Sequence, residues 1–346
     1  MLKIQETKLV PTEKLLLLIK FMVMRLSFII SFFSLLLFFL SVKAQPVPGI
    51  DENIPFLLTF GSASETAWGD DDFLQIIFFA VPEDFKQPVF LRVFDPEIGG
   101  KYDEQNGQWN TRSRFTVFGG KGACSEKDAQ RAYKQGRYDS GTVLASKTFA
   151  SDGALDDNWH TFGPFNPSEG ELLPEFGGYI FKVVVEGVSG DDGNMYRFFL
   201  SNQESRNMAV EGAFAFYFKY KFRMHDDMNE VSHIYPYIDN KVISIKQSNF
   251  DWDQDGLIRI ISVSKNGEMM KVSGDNHWVS SMHKISDGEK NSSFDIQMIK
   301  NKRAQVRNNN VVIYLENQYG ELLPFYSVPI GGIPKYKYSI GVKPKR

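Results

Sequence analysis

Phe214-Ala215-Phe216-Tyr217-Phe218-Lys219-Tyr220-Lys221-Phe222-Arg223-Met224 decides the fold class. Phe214, Phe216, Phe218, Tyr220, Phe222 and Met224 fall at every second position, with Lys219, Lys221 and Arg223 between the last four. Successive side chains of an extended chain point to opposite faces, so this spacing gathers six large apolar groups on one side of a sheet. A helix would spread them around its circumference. The stretch therefore reads as one strand with an apolar face and a cationic face.

The same grammar recurs on both sides of it. Tyr179, Phe181, Val183 and Val185 share a face of residues 179–186, and Ser189-Gly190-Asp191-Asp192-Gly193-Asn194 turns the chain into Tyr196-Arg197-Phe198-Phe199-Leu200. Residues 73–81 stop at Pro82, 88–94 at Asp95-Pro96, and 114–118 at Gly119-Gly120. Each run has strand length, strand composition and turn residues at its ends. Only residues 126–135 look helical, and they are short and weakly amphipathic. After Met224 the chain turns polar through His225-Asp226-Asp227-Met228-Asn229-Glu230, and Tyr235-Pro236-Tyr237 opens a second set of strands at 242–245, 257–264, 269–272, 311–315 and 322–328. Asn266-Gly267 supplies the positive φ angles of a type I′ turn and predicts a hairpin there. Strands without alternating helices imply an all-β chain of two antiparallel β-sandwich domains in series, jelly-roll or immunoglobulin-like. The boundary falls within 225–235, giving a first domain at 45–228 and a smaller second one at 229–332. Residues 333–346, with Lys335, Lys337, Lys343, Lys345 and Arg346, form a basic tail. Gly-Glu-Leu-Leu-Pro occurs at both 170–174 and 320–324, a short echo between the two parts.

Hydrophobic residues make up 42% and aromatic residues 14% of the 346, with thirty Phe, which supplies real cores and argues against a disordered chain. Residues 1–44 hold six basic against two acidic side chains; their +4 leaves −7 for the remainder of a chain whose formal total is −3. An acidic body is a poor phosphate binder, which sets nucleic acid aside. Arg25, the apolar stretch 26–40 and the small residues of Val42-Lys43-Ala44 follow the order of a secretory signal peptide, with Met24 a possible true start. Cleavage would leave no membrane span; retention of the greasy leader as an anchor is the alternative. The expected location is periplasmic, cell-surface or secreted. Cys124 is the only cysteine, so an exported chain has no internal disulfide and depends on its core, with metal as a further support.

The best local chemical signal is Asp251-Trp252-Asp253-Gln254-Asp255-Gly256. Carboxylates at alternate positions of a tight loop can converge on one hard cation, and Ca²⁺ takes six to eight oxygens. The expected ligands are Asp251, Asp253 and Asp255, with the backbone carbonyl of Leu257 as a further donor, in a structural role. The loop resembles those of EF-hands, dockerins and integrin-type repeats, but its ninth and twelfth positions are Arg259 and Ser262, and a strand follows it. An acidic β-turn is the plainer alternative. Asp70-Asp71-Asp72, Asp152 with Asp156-Asp157, and Asp191-Asp192 are further acidic turns, read as solvated. Trp68, Trp109, Trp159, Trp252 and Trp278 all adjoin polar or turn residues, where a ring can stack on a sugar but more often packs at a strand end.

His160, His225, His233, His277 and His283 show no metal-ligand spacing, no G-x-S-x-G elbow exists, and Cys124 has no catalytic context. Residues 73–224 resemble the pre-peptidase C-terminal-type β-sandwich domains of exported bacterial proteins, through the 179–186 strand, the Gly-Asp-Asp-Gly turn and the aromatic strand 214–224. The resemblance implies an accessory sandwich without catalysis. The expected function is an exported binding or structural module of the bacterial envelope or exterior, with a glycan or protein ligand and a calcium-stiffened loop. A secreted polysaccharide hydrolase using a carboxylate pair, or a subunit of an envelope assembly, are the alternatives.

Overall fold

The computed structural model describes residues 46–65, 73–131, 138–300 and 310–330. The leader, Trp68, Asp70-Asp71-Asp72 and the basic tail lie outside them. Among the described residues every strand pair is antiparallel, and the strands form two sheets. The first sheet runs β17 (Val279–Lys284), β14 (Ser244–Phe250), β20 (Asn310–Asn317), β12 (Lys219–Arg223), β2 (Phe56–Phe60), β10 (Gly193–Ser201), β4 (Val89–Phe94), β7 (Trp159–Phe165), with β1 (Pro46–Val47) on β10. The second runs β16 (Asn266–Met270), β15 (Gly256–Ile261), β19 (Asp295–Lys300), β13 (Val231–Ile238), β21 (Phe325–Tyr326), β11 (Phe214–Tyr217), β3 (Leu74–Pro82), β9 (Gly178–Ser189), β5 (Arg112–Gly119), β6 (Thr142–Phe149); β8 (Glu171–Leu173) joins β9 and β18 (Ser292–Ser293) joins β13. Both sheets contain strands from either side of residues 225–235, and one apolar cluster between them draws on Phe79, Phe115 and Phe198 as well as Trp252, Ile296 and Ile313.

The aromatic stretch 214–224 is two strands, not one. β11 pairs with β3 and β21 in the second sheet, whereas β12 pairs with β2 and β20 in the first. The chain changes sheets at Phe218, and the face that looks inward changes with it. Tyr217 before the switch and Tyr220 after it both enter the shared core and stack at 3.8 Å between ring centroids, while Phe216 and Phe218 join a smaller cluster on the outer face of the second sheet. A bend that moves a strand between packed sheets is how sandwiches turn corners. Glu52, fully buried, accepts hydrogen bonds from Gly49 N and the hydroxyls of Tyr217 and Tyr220 at this bend. Burial holds its carboxyl well above the usual range. The cationic face is not solvated either. Lys221 donates to Leu74 O, and Arg223 pairs with Glu104 and donates to Asn310 Oδ1.

Two local expectations shift. Asn266-Gly267 lies inside β16, and the β15–β16 hairpin turns earlier, through Ser262–Lys265, where Ser262 N donates to Lys265 O. The Ser262 hydroxyl accepts the Ser264 and Lys265 amides and so nucleates the turn, while Gly267, at φ +83°, follows the register shift after Ile260. Of the stretch expected to be helical, the described residues 126–131 hold a 3₁₀ turn, Lys127–Gln130; residues 132–135 lie outside the described residues. The two Gly-Glu-Leu-Leu-Pro segments serve the same outer cluster, on which Leu173 and Leu322 both pack.

β3 is buried along Leu74–Val81 because both of its faces are covered. The outer cover is the segment after β5, fastened by Glu171, whose carboxylate accepts the amides of Gly122, Cys124 and Ser125 and the Ser125 hydroxyl. Beneath it Lys182 is completely buried, donating to Tyr138 O and Ser140 O at 2.6 Å each, with its ammonium 4.6 Å from the Phe118 ring centre. Burial pulls this lysine down to about 8, against the opposing fields of Asp139, Cys124 and Glu171. An unfolded lysine keeps its proton to about pH 10.4, so between 8 and 10.4 the unfolded chain binds more protons and rising pH favours the fold. Lys182→Met removes that term. Urea unfolding at a series of pH values is expected to show wild-type stability gaining on the variant by about 3 kcal/mol across this interval; parallel curves would refute the assignment.

Candidate calcium loop and aromatic platform

The 251–255 turn is folded by three consecutive devices. Asp251, Asp253 and Gln254 adopt left-handed backbone, at φ 61°, 51° and 55°, which Asp and Asn-like residues tolerate best among non-glycines. Trp252 turns inward and is fully buried in the shared core, anchoring the loop. The neighbouring loop 273–276 is buckled on: Trp252 N donates to Ser273 Oγ at 3.0 Å, Gln254 N to Ser273 O at 2.8 Å, and Asn276 N to Asp251 Oδ1 at 3.1 Å.

This buckle selects the carboxylates that converge. Asp251, Asp253 and Asp275 bring one oxygen each within 4.8 Å of one another, with Asp251 buried and the other two exposed. Two Ca–O bonds placed opposite each other span roughly 4.6–5.2 Å, so one cation can touch all three. Burial raises the Asp253 carboxyl, and the charges of Asp275 and Asp255 push it further in the same direction. Asp255 goes elsewhere. It stands at the entry to β15, opposite the end of β19, and is buried with Lys300 Nζ at 3.8 Å. Leu257 lies within β15 opposite Ile299. Sequence spacing thus identifies Asp251 and Asp253, while Asp275 comes from a separate loop whose only local signal is Gly274-Asp275-Asn276.

The same loop delivers Trp278. Its ring packs 5.1 Å from Phe250 and 5.3 Å from Tyr314 (centroid to centroid), with the Lys219 ammonium 5.2 Å from its centre, yet 37% of the residue remains exposed. Cross-strand partners share a face, so Tyr314, Ser248 and Ser280 form one row beside Trp278, and Glu316, Lys246 and Met282 the next. The opposite parity, Ile245, Ile313 and Leu315, faces the core. Trp278 therefore stands on the outer face of the first sheet, beside the paired hydroxyls of Ser248 and Ser280 and the Lys246–Glu316 ion pair.

Several other sequence candidates have structural roles. Asp192 is fully buried and accepts the amides of Asn106, Asn110 and Thr111, so that acidic turn is a clamp rather than a solvated bend. Trp159 packs on Phe94 under the Arg92 guanidinium. His233 and His283 each meet one carboxylate, Asp295 and Glu268. The Cys124 thiol is buried, and that burial pushes it far up, away from nucleophilic thiolate. No helix among the described residues is long and apolar enough to cross a membrane. No protein-family model matches the chain, and no curated protein matches its sequence. Fold and site together define an antiparallel β-sandwich protein with an acidic loop beside an exposed aromatic platform.

Proposed function

We propose that this chain is an exported, non-catalytic binding module of the bacterial envelope or exterior, that its ligand is a glycan stacked on Trp278, and that Ca²⁺ at Asp251, Asp253 and Asp275 stiffens the loop presenting that ring. The observation carrying this reading is the half-open Trp278, held at a fixed attitude by Phe250 and Tyr314 on a sheet face. A sugar ring offers an apolar C–H face that covers an indole and hydroxyls that suit Ser248, Ser280, Lys246 and Glu316 around it. The ring's loop is hydrogen-bonded to the acidic turn through Asn276 and Ser273, so a cation there would limit the ring's motion. Export rests on the signal-peptide pattern of residues 1–44, and the likeness to pre-peptidase C-terminal-type accessory sandwiches agrees with a role without catalysis.

The processed protein, applied to an array of bacterial and plant polysaccharides, is expected to retain a glycan class. Trp278→Ala should weaken binding to it roughly tenfold or more while leaving the circular-dichroism spectrum unchanged, because a central aromatic carries most of the energy at such contacts. Chelation should weaken it less. Equal retention by the wild type and Trp278→Ala, or no retained glycan at all, rules the platform out.

A further inference from the structure

A second acidic group sits at the opposite region of the first sheet, where β4 and β7 end side by side with Phe94 facing Trp159. Asp95 and Glu97 follow β4, and Asp156 lies in the turn that precedes β7. One carboxylate oxygen from each lies within 4.8 Å of the others. Asp95 is 0% and Glu97 1% exposed. The segments are already drawn together: Asp95 N donates to Asn158 O at 2.9 Å, Asp157 N to Asp95 Oδ1 at 3.2 Å, and Asp152 N to Glu97 Oε2 at 2.7 Å. These bonds use one oxygen of Asp95 and one of Glu97. The second oxygen of Asp95, Oδ2, and Asp156 Oδ1 are buried and accept no hydrogen bond among the described residues.

Buried carboxylate oxygens are expensive to leave unmatched, and three carboxylates gathered out of water repel one another. The local cations answer them only in part: the Arg197 guanidinium acts on Asp95 and Asp157 through its field, without hydrogen-bonding to the unmatched Asp95 Oδ2. Lys101 pairs with Asp157, and the Arg197 guanidinium lies over the rings of Phe56 and Phe94. The backbone is shaped for the Asp156 group as well. A Cβ on Gly100, at φ +67°, would stand 2.1 Å from Asp156 Oδ1, so the carboxylate rests against bare main chain.

We propose that Asp95, Glu97 and Asp156 form a calcium site that locks the end of the β4–β7 pair at the edge of the first sheet. Its oxygen-only donor set selects a hard cation, and the spacing suits one Ca²⁺ touching all three groups, since opposed Ca–O bonds reach roughly 4.6–5.2 Å. The Asp95 and Asp156 oxygens without hydrogen-bond partners are the donors that such an ion would satisfy. The site is independent of the loop at Asp251, which belongs to other strands, and of the glycan reading.

The test is equilibrium dialysis with ⁴⁵Ca²⁺, together with thermal melts in ~5 mM CaCl₂ or chelator, on the processed protein, on Asp156→Asn, and on Asp253→Asn/Asp275→Asn. Asp156 is only partly buried, so its amide variant should fold. The expected result is that Asp156→Asn removes one bound Ca²⁺, or weakens that site roughly tenfold or more, and loses the part of the melting rise that this site gives. The double variant should keep one bound ion and that part of the rise. Calcium binding and melting unaffected by Asp156→Asn would overturn the proposal. So would a double variant with no bound Ca²⁺ and no melting rise, a result that does not depend on how Asp156→Asn folds. If the Asp251 loop binds nothing, the wild type takes up one ion instead of two and this site stands unchanged.

Discussion

Lys265→Met should lower the stability of the fold by about 3–5 kcal/mol, read as a shift in the urea midpoint with the slope preserved. Lys265 sits in the β15–β16 turn with 8% of its side chain exposed, and its ammonium meets both oxygens of the wholly buried Glu289 at 2.8 and 2.9 Å. Glu289 also receives the Ser262 hydroxyl and the Ser286 amide and hydroxyl. Burial alone would raise its carboxyl, but the hydrogen bonds from Lys265, Ser262 and Ser286 outweigh that and hold it below the ordinary value of 4.5. The sign follows. The interaction is complete above pH 4.5 and fades as pH falls toward the depressed value in the fold. Removing only the lysine leaves a buried anion with neutral donors. Lys265→Met/Glu289→Gln should therefore recover roughly half or more of the loss, and should lack the acid-side decline that this pair gives the wild type. A single variant as stable as the wild type, or a double variant no better than the single, would show that the pair carries little.

Trp252→Ala is the second large effect, at about 3–5 kcal/mol for emptying a fully buried indole site. Trp252→Phe separates packing from hydrogen bonding. The indole Nε1 has no partner among the described residues, so losing it breaks no bond, and the phenylalanine variant, which leaves a smaller cavity, should lose roughly half as much or less. Because Trp252 is the peg of the acidic turn, the alanine variant should also weaken the Ca²⁺ binding proposed for that loop. Equal losses for alanine and phenylalanine would place the energy in the indole nitrogen instead.

How much of this was legible beforehand differs from level to level. Alternation in residues 179–186 and 214–224 reports extended backbone reliably, because only strands place every second side chain on one face. It is blind to the switch at Phe218, since the period of two continues across the bend while the partner sheet changes. Lys221 and Arg223 of β12 read only as part of a cationic face, because their partners, Leu74 O, Glu104 and Asn310, come from remote parts of the chain. The site shows the same division. Asp251 and Asp253 are legible as neighbours in a turn, but Asp275 enters through the Ser273 and Asn276 bonds, which no spacing rule encodes. Asp95-Pro96-Glu97 before Gly99-Gly100 did carry a signal, two carboxylates followed by a glycine pair, yet it reads equally as a strand stop.

The switch at Phe218 also decides what a broken chain would do. A nick in residues 226–229 would sever the peptide between β12 and β13 without freeing either fragment. The N-terminal piece would still hydrogen-bond to its complement along β12–β20 and β11–β21, and Phe325 would still lie against Tyr217. Cohesion across that point belongs to the ladders more than to the covalent thread, so a protease could clip this segment and leave both pieces assembled.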